Sequence, residues 1–135
     1  MADAAHETAA IRADGGRLGG VFVCRLVAGG VGLAPSLNAG SDHAMAQAVH
    51  GTAPDIAGKG VANPAALILS TAQLLDWLYQ RTRESECRAT AQLLQHGVAG
   101  AISGGTHTTD LGGSASTSAF AKVVIAAMRD ADVAP

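Results

Sequence analysis

The sequence predicts an α/β fold with three helices, long glycine-rich loops and few short strands. Three segments place apolar residues at helical spacing, and glycine, proline, asparagine and serine recur at short intervals between them. Hydrophobic residues make up 48% of the chain and charged residues 15%, a composition typical of a folded domain. The 135 residues suffice for one domain. Because the elements form no complete βαβ unit, the chain is predicted to be part of such a fold.

The first part of the chain carries few signs of regular structure. Residues 1–26 are predicted to form a divergent or loosely ordered leader, since paired glycines interrupt its apolar repeats. The apolar run Val21–Val27 fits either a buried strand or one face of a short helix. Residues 29–63 are loop-like, with one short strand predicted around Met45–Val49.

The first helix is predicted to begin at Asn63 and Pro64. Asparagine caps free amide groups, and proline at the first helical position loses no hydrogen bond. The helix runs to about Gln80 and should be central, because most of its circumference is apolar. The apolar positions are Leu67, Ile68, Leu69, Leu74, Leu75, Leu78 and Tyr79.

Two further helices follow. The second is predicted over Ser85–Gln95, with His96 in its last turn and Gly97 as its stop. The last helix begins behind a cap formed by Ser116 and Thr117. Its inward face is predicted to carry Phe120, Val123, Val124, Ala127 and Met128.

Composition and charge limit the partners. The formal net charge is −2 and only 9 residues are lysine or arginine, so nucleic acid is an unexpected partner. No membrane-length apolar run is present, and Cys24 and Cys87 are interpreted as reduced, buried thiols of a cytoplasmic protein. Aromatic residues make up only 3%, so the core should be thin and rich in alanine, and a partner surface would help to stabilise it.

Three generic motifs fail on spacing. Gly30 and Gly32 lack the third glycine of a dinucleotide fingerprint, and the Gly58–Gly60 segment lacks the serine or threonine of a phosphate loop. His43 and His50 lie seven residues apart without a third ligand, so a zinc site is not predicted.

The segment AVHGTAPDIAGKGVANP, from Ala48 to Pro64, is the candidate ligand loop. The small residues after His50 allow close backbone approach to a ligand, and Thr52 adds a hydroxyl donor. Asp55 can accept two hydrogen bonds at once, which suits the vicinal diol of a ribose and repels a 2′-phosphate. Asn63 could read an adenine edge, in competition with its capping role. The alternative is a structural loop in front of a capped helix.

This segment resembles the cofactor loop of the metal-dependent β-decarboxylating dehydrogenases, the family of isocitrate, isopropylmalate and tartrate dehydrogenases. The resemblance extends upstream through GGVGLAPSLNAG (residues 29–40) and downstream through ANPAALILSTAQLLDWL. A third block, TTDLGGSASTSAFAKVVIAAM, is similar to the carboxy-terminal T-x-D-L-G-G segment and last helix of the family. Residues 27–135 are accordingly predicted to form the carboxy-terminal NAD-binding part of an isopropylmalate dehydrogenase-like domain.

The resemblance implies a non-Rossmann nucleotide site. The residues that would line its adenosine half are His50, Gly51, Thr52, Ala53, Pro54, Asp55 and Ile56, with Asn63 at adenine. The pair Asp55 and Ile56 resembles the NAD-using members, because NADP-using relatives tend to carry lysine and tyrosine there. NAD is therefore the expected cofactor.

The sequence also departs from the family pattern. In the family, aspartates of a G-D-I-x-S-D segment hold Mg²⁺ or Mn²⁺, and the corresponding positions here are Phe22 and Leu18, which bind no metal. Gln47 and Ala119 stand where the family has glutamate. The substrate-binding arginines and the tyrosine and lysine acid–base pair lie upstream in the family. No catalytic residue and no metal ligand are therefore assigned to this chain.

Two functional hypotheses follow. The first is an NAD-binding portion of a metal-dependent 2-hydroxy-acid oxidative decarboxylase, catalytic only when another polypeptide supplies the rest. The second is a non-catalytic remnant that acts as an association module, either as a homo-oligomer or docked on an intact homologue, since the family forms homodimers. In both, the chain is expected to correspond to roughly the last third of a two-domain dehydrogenase.

Overall fold

The structure is a computed structural model that describes residues 30–132. The predicted leader over residues 1–26, the apolar run Val21–Val27 and Cys24 lie outside the described residues. Within residues 30–132 the order is a hairpin, then three helices, with short 3-10 turns in the connections. This arrangement confirms the predicted combination of three helices, loops and few short strands.

The hairpin pairs β1 (Pro35–Ala39) with β2 (Ala44–Ala48) in antiparallel register. Its turn is closed by the amide of Gly40, which donates to the carbonyl of His43 at 2.8 Å. The predicted strand around Met45–Val49 is confirmed with a shift of one residue. β1 was not predicted, because its sequence PSLNA is poor in the β-branched and aromatic residues that mark strands.

The first helix, α1 (Ala65–Thr82), is central as predicted, since it packs against the hairpin, the second helix and the 3-10 turn at residues 31–33. Its start is also confirmed, because the amide of Ala65 donates to Asn63 Oδ1 at 2.9 Å. Leu67, one of the apolar positions, is 54% exposed. Four small residues of α1 are fully buried instead, namely Ala65, Ala66, Ser70 and Ala72.

Ser70 joins α1 to both strands. Its Oγ accepts from the amide of Ser36 at 3.0 Å, and its hydroxyl lies 2.8 Å from the carbonyl of Gln47 and 2.7 Å from that of Ala66. Ser36 and Gln47 face each other in the ladder. One buried hydroxyl therefore holds the main chain of both strands against the helix.

Replacing Ser70 by alanine is expected to lower the free energy of unfolding by about 1–3 kcal/mol, because the part-buried Ser36 amide and Gln47 carbonyl lose their partner. Urea unfolding followed by circular dichroism measures the change. Thr71→Ala is the matched control, since it removes an exposed hydroxyl that donates to Leu67 within α1. Equal losses in the two variants would contradict the role given to Ser70.

The second helix, α2 (Ser85–Ser103), is longer than predicted. The predicted stop at Gly97 was wrong, and His96 lies in the middle of the helix and is exposed. Gly97 is buried against the third helix, where an added Cβ would lie 2.6 Å from Met128 Cγ and 2.9 Å from the carbonyl oxygen of Val124. The glycine thus permits close helix packing and does not end the helix.

The third helix, α3 (Thr117–Asp132), begins as predicted, because the amide of Ala119 donates to Ser116 Oγ at 3.1 Å. Phe120 and Val124 are fully buried. Val123 was predicted to face inward, but it is 36% exposed and lies at the border of the buried face.

The core lies where the three helices meet. It is formed by Ala65 from α1, Val98 and Ala101 from α2, and Phe120 and Val124 from α3. Six of the nine buried hydrophobic residues in the described part are alanine, so the expected thin core is confirmed. Cys87 carries a free thiol that is half-buried, less than predicted. No helix within residues 30–132 is long and apolar enough to cross a bilayer.

Candidate functional site

The candidate ligand loop leaves the end of β2 and returns to the chain at the start of α1. Its first residues, from His50 to Asp55, are exposed, and Ile56 is half-buried. Pro54–Ile56 form one 3-10 turn, in which the amide of Ala57 donates to the carbonyl of Pro54 at 3.3 Å. The seven residues predicted to line the adenosine site therefore form one continuous, accessible loop.

His50 shapes the beginning of this loop. Its Nδ1 lies 2.9 Å from the carbonyl oxygen of Gly51. Because a carbonyl can only accept, Nδ1 is the donor in this contact. The imidazole is exposed and available to a ligand.

Ala53 holds an unusual backbone conformation at the centre of the loop. Its φ of 42° and ψ of 62° lie in the left-handed region, which costs a non-glycine residue about 1–2 kcal/mol. Strain of this kind is concentrated at binding and catalytic sites. The left-handed conformation of Ala53 directs the chain into the Pro54–Ile56 turn, which carries Asp55.

Asp55 lies in the middle of that turn and is exposed. Both carboxylate oxygens can therefore accept hydrogen bonds from a ligand. The arrangement suits two neighbouring hydroxyls, and a phosphate at the same place would be repelled.

Asn63 lies at the other end of the loop and differs from the rest of the predicted set. Its side chain is turned into the protein and the residue is only 9% exposed. Oδ1 accepts from the amide of Ala65, and Nδ2 donates to Asp110 Oδ2 at 3.0 Å. The expected competition between capping and ligand contact thus takes the form of an amide that already has one partner at each end.

The structure also joins two segments that the sequence left apart. The amide of Thr117 donates to the carbonyl of Gly60 at 2.8 Å, and its hydroxyl donates to the carbonyl of Ala62. Sequence reasoning gave Thr117 only a capping role at the last helix and assigned no role to Asp110. The only available sign was that both lie in the carboxy-terminal block that resembles the family.

No group of three or more histidine, cysteine, aspartate or glutamate side chains is placed to hold a metal ion within residues 30–132. Phe22 and Leu18, the positions matched to the metal-binding aspartates, lie outside the described residues.

Comparison with known proteins gives a consistent result. The family model described as isocitrate/isopropylmalate dehydrogenase matches residues 23–124. The isocitrate/homoisocitrate dehydrogenase of Thermus thermophilus is 45% identical over 101 residues, which is 75% of this chain and 28% of that protein. Catalytic subunit 5 of the NAD isocitrate dehydrogenase of Arabidopsis thaliana is 42% identical over 104 residues, 76% of this chain and 26% of that protein.

Solved structures similar to this chain come from the same family. The β-decarboxylating dehydrogenase from Thermococcus kodakarensis, in its apo form, superposes with a TM-score of 0.71 at 36% identity. The match covers 84% of this chain and 33% of that structure. The chain thus spans just over a quarter of the length of the curated relatives it matches.

Proposed function

Because the chain belongs to the isocitrate/isopropylmalate dehydrogenase family, we propose that it forms the adenosine half of an NAD site. That site would serve a metal-dependent 2-hydroxy-acid oxidative decarboxylase. The lining residues are His50, Gly51, Thr52, Ala53, Pro54, Asp55 and Ile56, with Asn63 at the adenine end of the loop. When bound, NAD accepts a hydride from the 2-hydroxy acid.

The strained turn beside an exposed carboxylate is the observation that supports this proposal most directly. Ala53 in the left-handed region brings the chain sharply into the Pro54–Ile56 turn, where Asp55 is exposed. The carboxylate of Asp55 would accept from both hydroxyls of the adenosine ribose. The name of the Arabidopsis relative, which specifies NAD, agrees with this cofactor choice.

The same carboxylate would select against NADP. A 2′-phosphate occupies the position of one ribose hydroxyl and would meet the negative charge of Asp55. In this proposal the chain contributes nucleotide binding, and Leu18 and Phe22 do not replace the metal-binding aspartates of the family.

Isothermal titration of the purified chain with NAD tests the proposal. We expect saturable binding, and we expect Asp55→Ala to raise the Kd by at least about tenfold, since two hydrogen bonds to a charged group are lost. NADP should bind more weakly than NAD to the native chain. Asp42→Ala is the matched control, because Asp42 is an exposed carboxylate in the hairpin turn, 3.9 Å from Arg81 Nη2.

A folded chain that binds no NAD, or an Asp55→Ala variant with unchanged affinity, would overturn this assignment. The control variant should bind NAD as the native chain does, because surface ion pairs contribute little.

The association module is the second candidate, and the exposed apolar side chains favour it. Leu67 on α1 and Ile125 on α3 are 54% and 49% exposed, and Met45 on the hairpin is also exposed. One contiguous patch of such side chains would mark a contact with another chain. Light scattering that shows a folded dimer, combined with no heat of NAD binding, would favour this function over the first.

A further inference from the structure

The carboxylate of Asp110 links two segments that are distant in the sequence. Oδ2 accepts from Asn63 Nδ2 at 3.0 Å across 47 residues of chain, and Oδ1 accepts from the hydroxyl of Thr108. Thr108 is fully buried. Both oxygens are therefore held by donors, and the orientation of the carboxylate is fixed from both sides.

The glycine-rich turn around Gly32 closes over this pair. A Cβ at Gly32 would overlap with Asp110 Oδ2 and lie 3.2 Å from Asn63 Nδ2. The backbone of Gly32 therefore covers one side of the hydrogen bond, while Asp110 is exposed on the other.

Asn63 transmits this fixed position to the ligand loop. Its Oδ1 accepts from the amide of Ala65 at 2.9 Å, so the amide is held at both ends. The preceding carbonyls of Gly60 and Ala62 are held by Thr117. The return path of the loop is thus held at three points, by Thr117 at Gly60 and Ala62 and by Asp110 at Asn63.

We propose that Asp110 is a positioning residue of the nucleotide site, which acts through Asn63 to fix the adenine end of the loop. The inference rests on the proposed NAD function, and it adds a residue outside the loop that sequence reasoning did not assign. Asn63 acts from inside the protein, because both ends of its side chain are occupied there. The side chain of Asn63 does not read the base.

The chemistry of the pair allows a direct test in which the residue types at positions 63 and 110 are swapped. In Asn63→Asp, the new carboxylate still accepts from Ala65, but it faces the carboxylate of Asp110 and repels it. Adding Asp110→Asn restores one donor and one acceptor, with their places exchanged. The amide oxygen at position 110 can still accept from Thr108. The double variant therefore keeps every hydrogen bond of the native network.

Two measurements on the full chain are needed. In amide hydrogen exchange without ligand, Asn63→Asp should speed exchange at Lys59 and Thr117 by about tenfold or more, since local opening becomes easier. The amides of these two residues donate to the carbonyls of Ile56 and Gly60. In NAD titration, the same variant should raise the Kd by about tenfold or more. The reason is that the charge-assisted hydrogen bond between positions 63 and 110 is lost, so the adenine end of the loop is no longer held. In the double variant both values should return to within about threefold of the native chain.

Asn38→Asp is the matched control, because it makes the same chemical change at an exposed position of β1. It should alter neither measurement. If Asn63→Asp does not fold, the double variant remains decisive, since it is expected to fold and to bind NAD as the native chain does.

Three outcomes would overturn the inference. Unchanged exchange in folded Asn63→Asp would show that the pair does not hold the loop. Native-like exchange in the double variant with NAD binding still lost would show that the Asn63 amide contacts the base directly. A native chain that binds no NAD would remove the proposed function, and the role in nucleotide binding would fall with it even where exchange shows the loop to be held.

Discussion

Replacing Gly113 by alanine is expected to lower the free energy of unfolding by about 3 kcal/mol, near the upper end for overpacking. A Cβ at this position would overlap with the carbonyl oxygen of His107 and lie 2.5 Å from its carbonyl carbon. Both atoms belong to the backbone, so no side-chain rotation relieves the contact. In a domain of this size, thermal unfolding should show a fall in Tm of about 10–20 °C.

The position of Gly113 explains the large effect. Its amide donates to the carbonyl of Thr108 at 2.9 Å, and the amide of Ala115 donates to that of His107 at 2.9 Å. These bonds close the turn that carries Asp110. The variant should therefore also weaken NAD binding.

Gly112→Ala provides the matched control. Gly112 has a φ of 79°, but no atom lies within 4 Å of the Cβ that alanine would add. The free energy of unfolding of Gly112→Ala should therefore fall only by the cost of backbone strain, about 1–2 kcal/mol. If Gly112→Ala proves as costly as Gly113→Ala, the contact with His107 is not the cause.

Replacing Gly97 by valine is expected to cost about 2–3 kcal/mol, because the helices α2 and α3 must move apart. The fixed obstacle is the carbonyl oxygen of Val124, only 2.9 Å from the position of the first added carbon. Met128 can rotate away, but the carbonyl belongs to the α3 backbone. Urea unfolding at 25 °C measures the loss.

Ala99→Val tests whether this loss comes from packing. Ala99 lies two residues away on the same helix and is exposed, so valine there should cost only its lower helix propensity, about 0.5 kcal/mol. Similar losses at positions 97 and 99 would argue against close packing of α2 on α3.

The starts of α1 and α3 could be predicted because their determinants are local. Asn63 accepts from an amide two residues ahead, and Ser116 from one three residues ahead. Such contacts are present in the sequence as short patterns. Gly97 shows the limit of local reasoning, since the property that matters there is the distance to a helix more than 20 residues away.

The hairpin shows the same limit. β1 has little intrinsic preference for a strand, and its pairing with β2 is supported by Ser70, which lies 34 residues beyond Ser36. Of the candidate site, the sequence predicted the loop from His50 to Ile56. It did not predict the role of Asp110, because its hydrogen bond to Asn63 spans 47 residues.

The hydrogen bonds of Thr117 tie the ligand loop to the first residue of α3. Its amide and hydroxyl each donate to a carbonyl of the loop, so the loop cannot open without exposing the beginning of the helix. Loop and helix should therefore unfold as one cooperative unit. A nucleotide that binds only the closed loop would then raise the stability of α3 by mass action, although it never touches the helix.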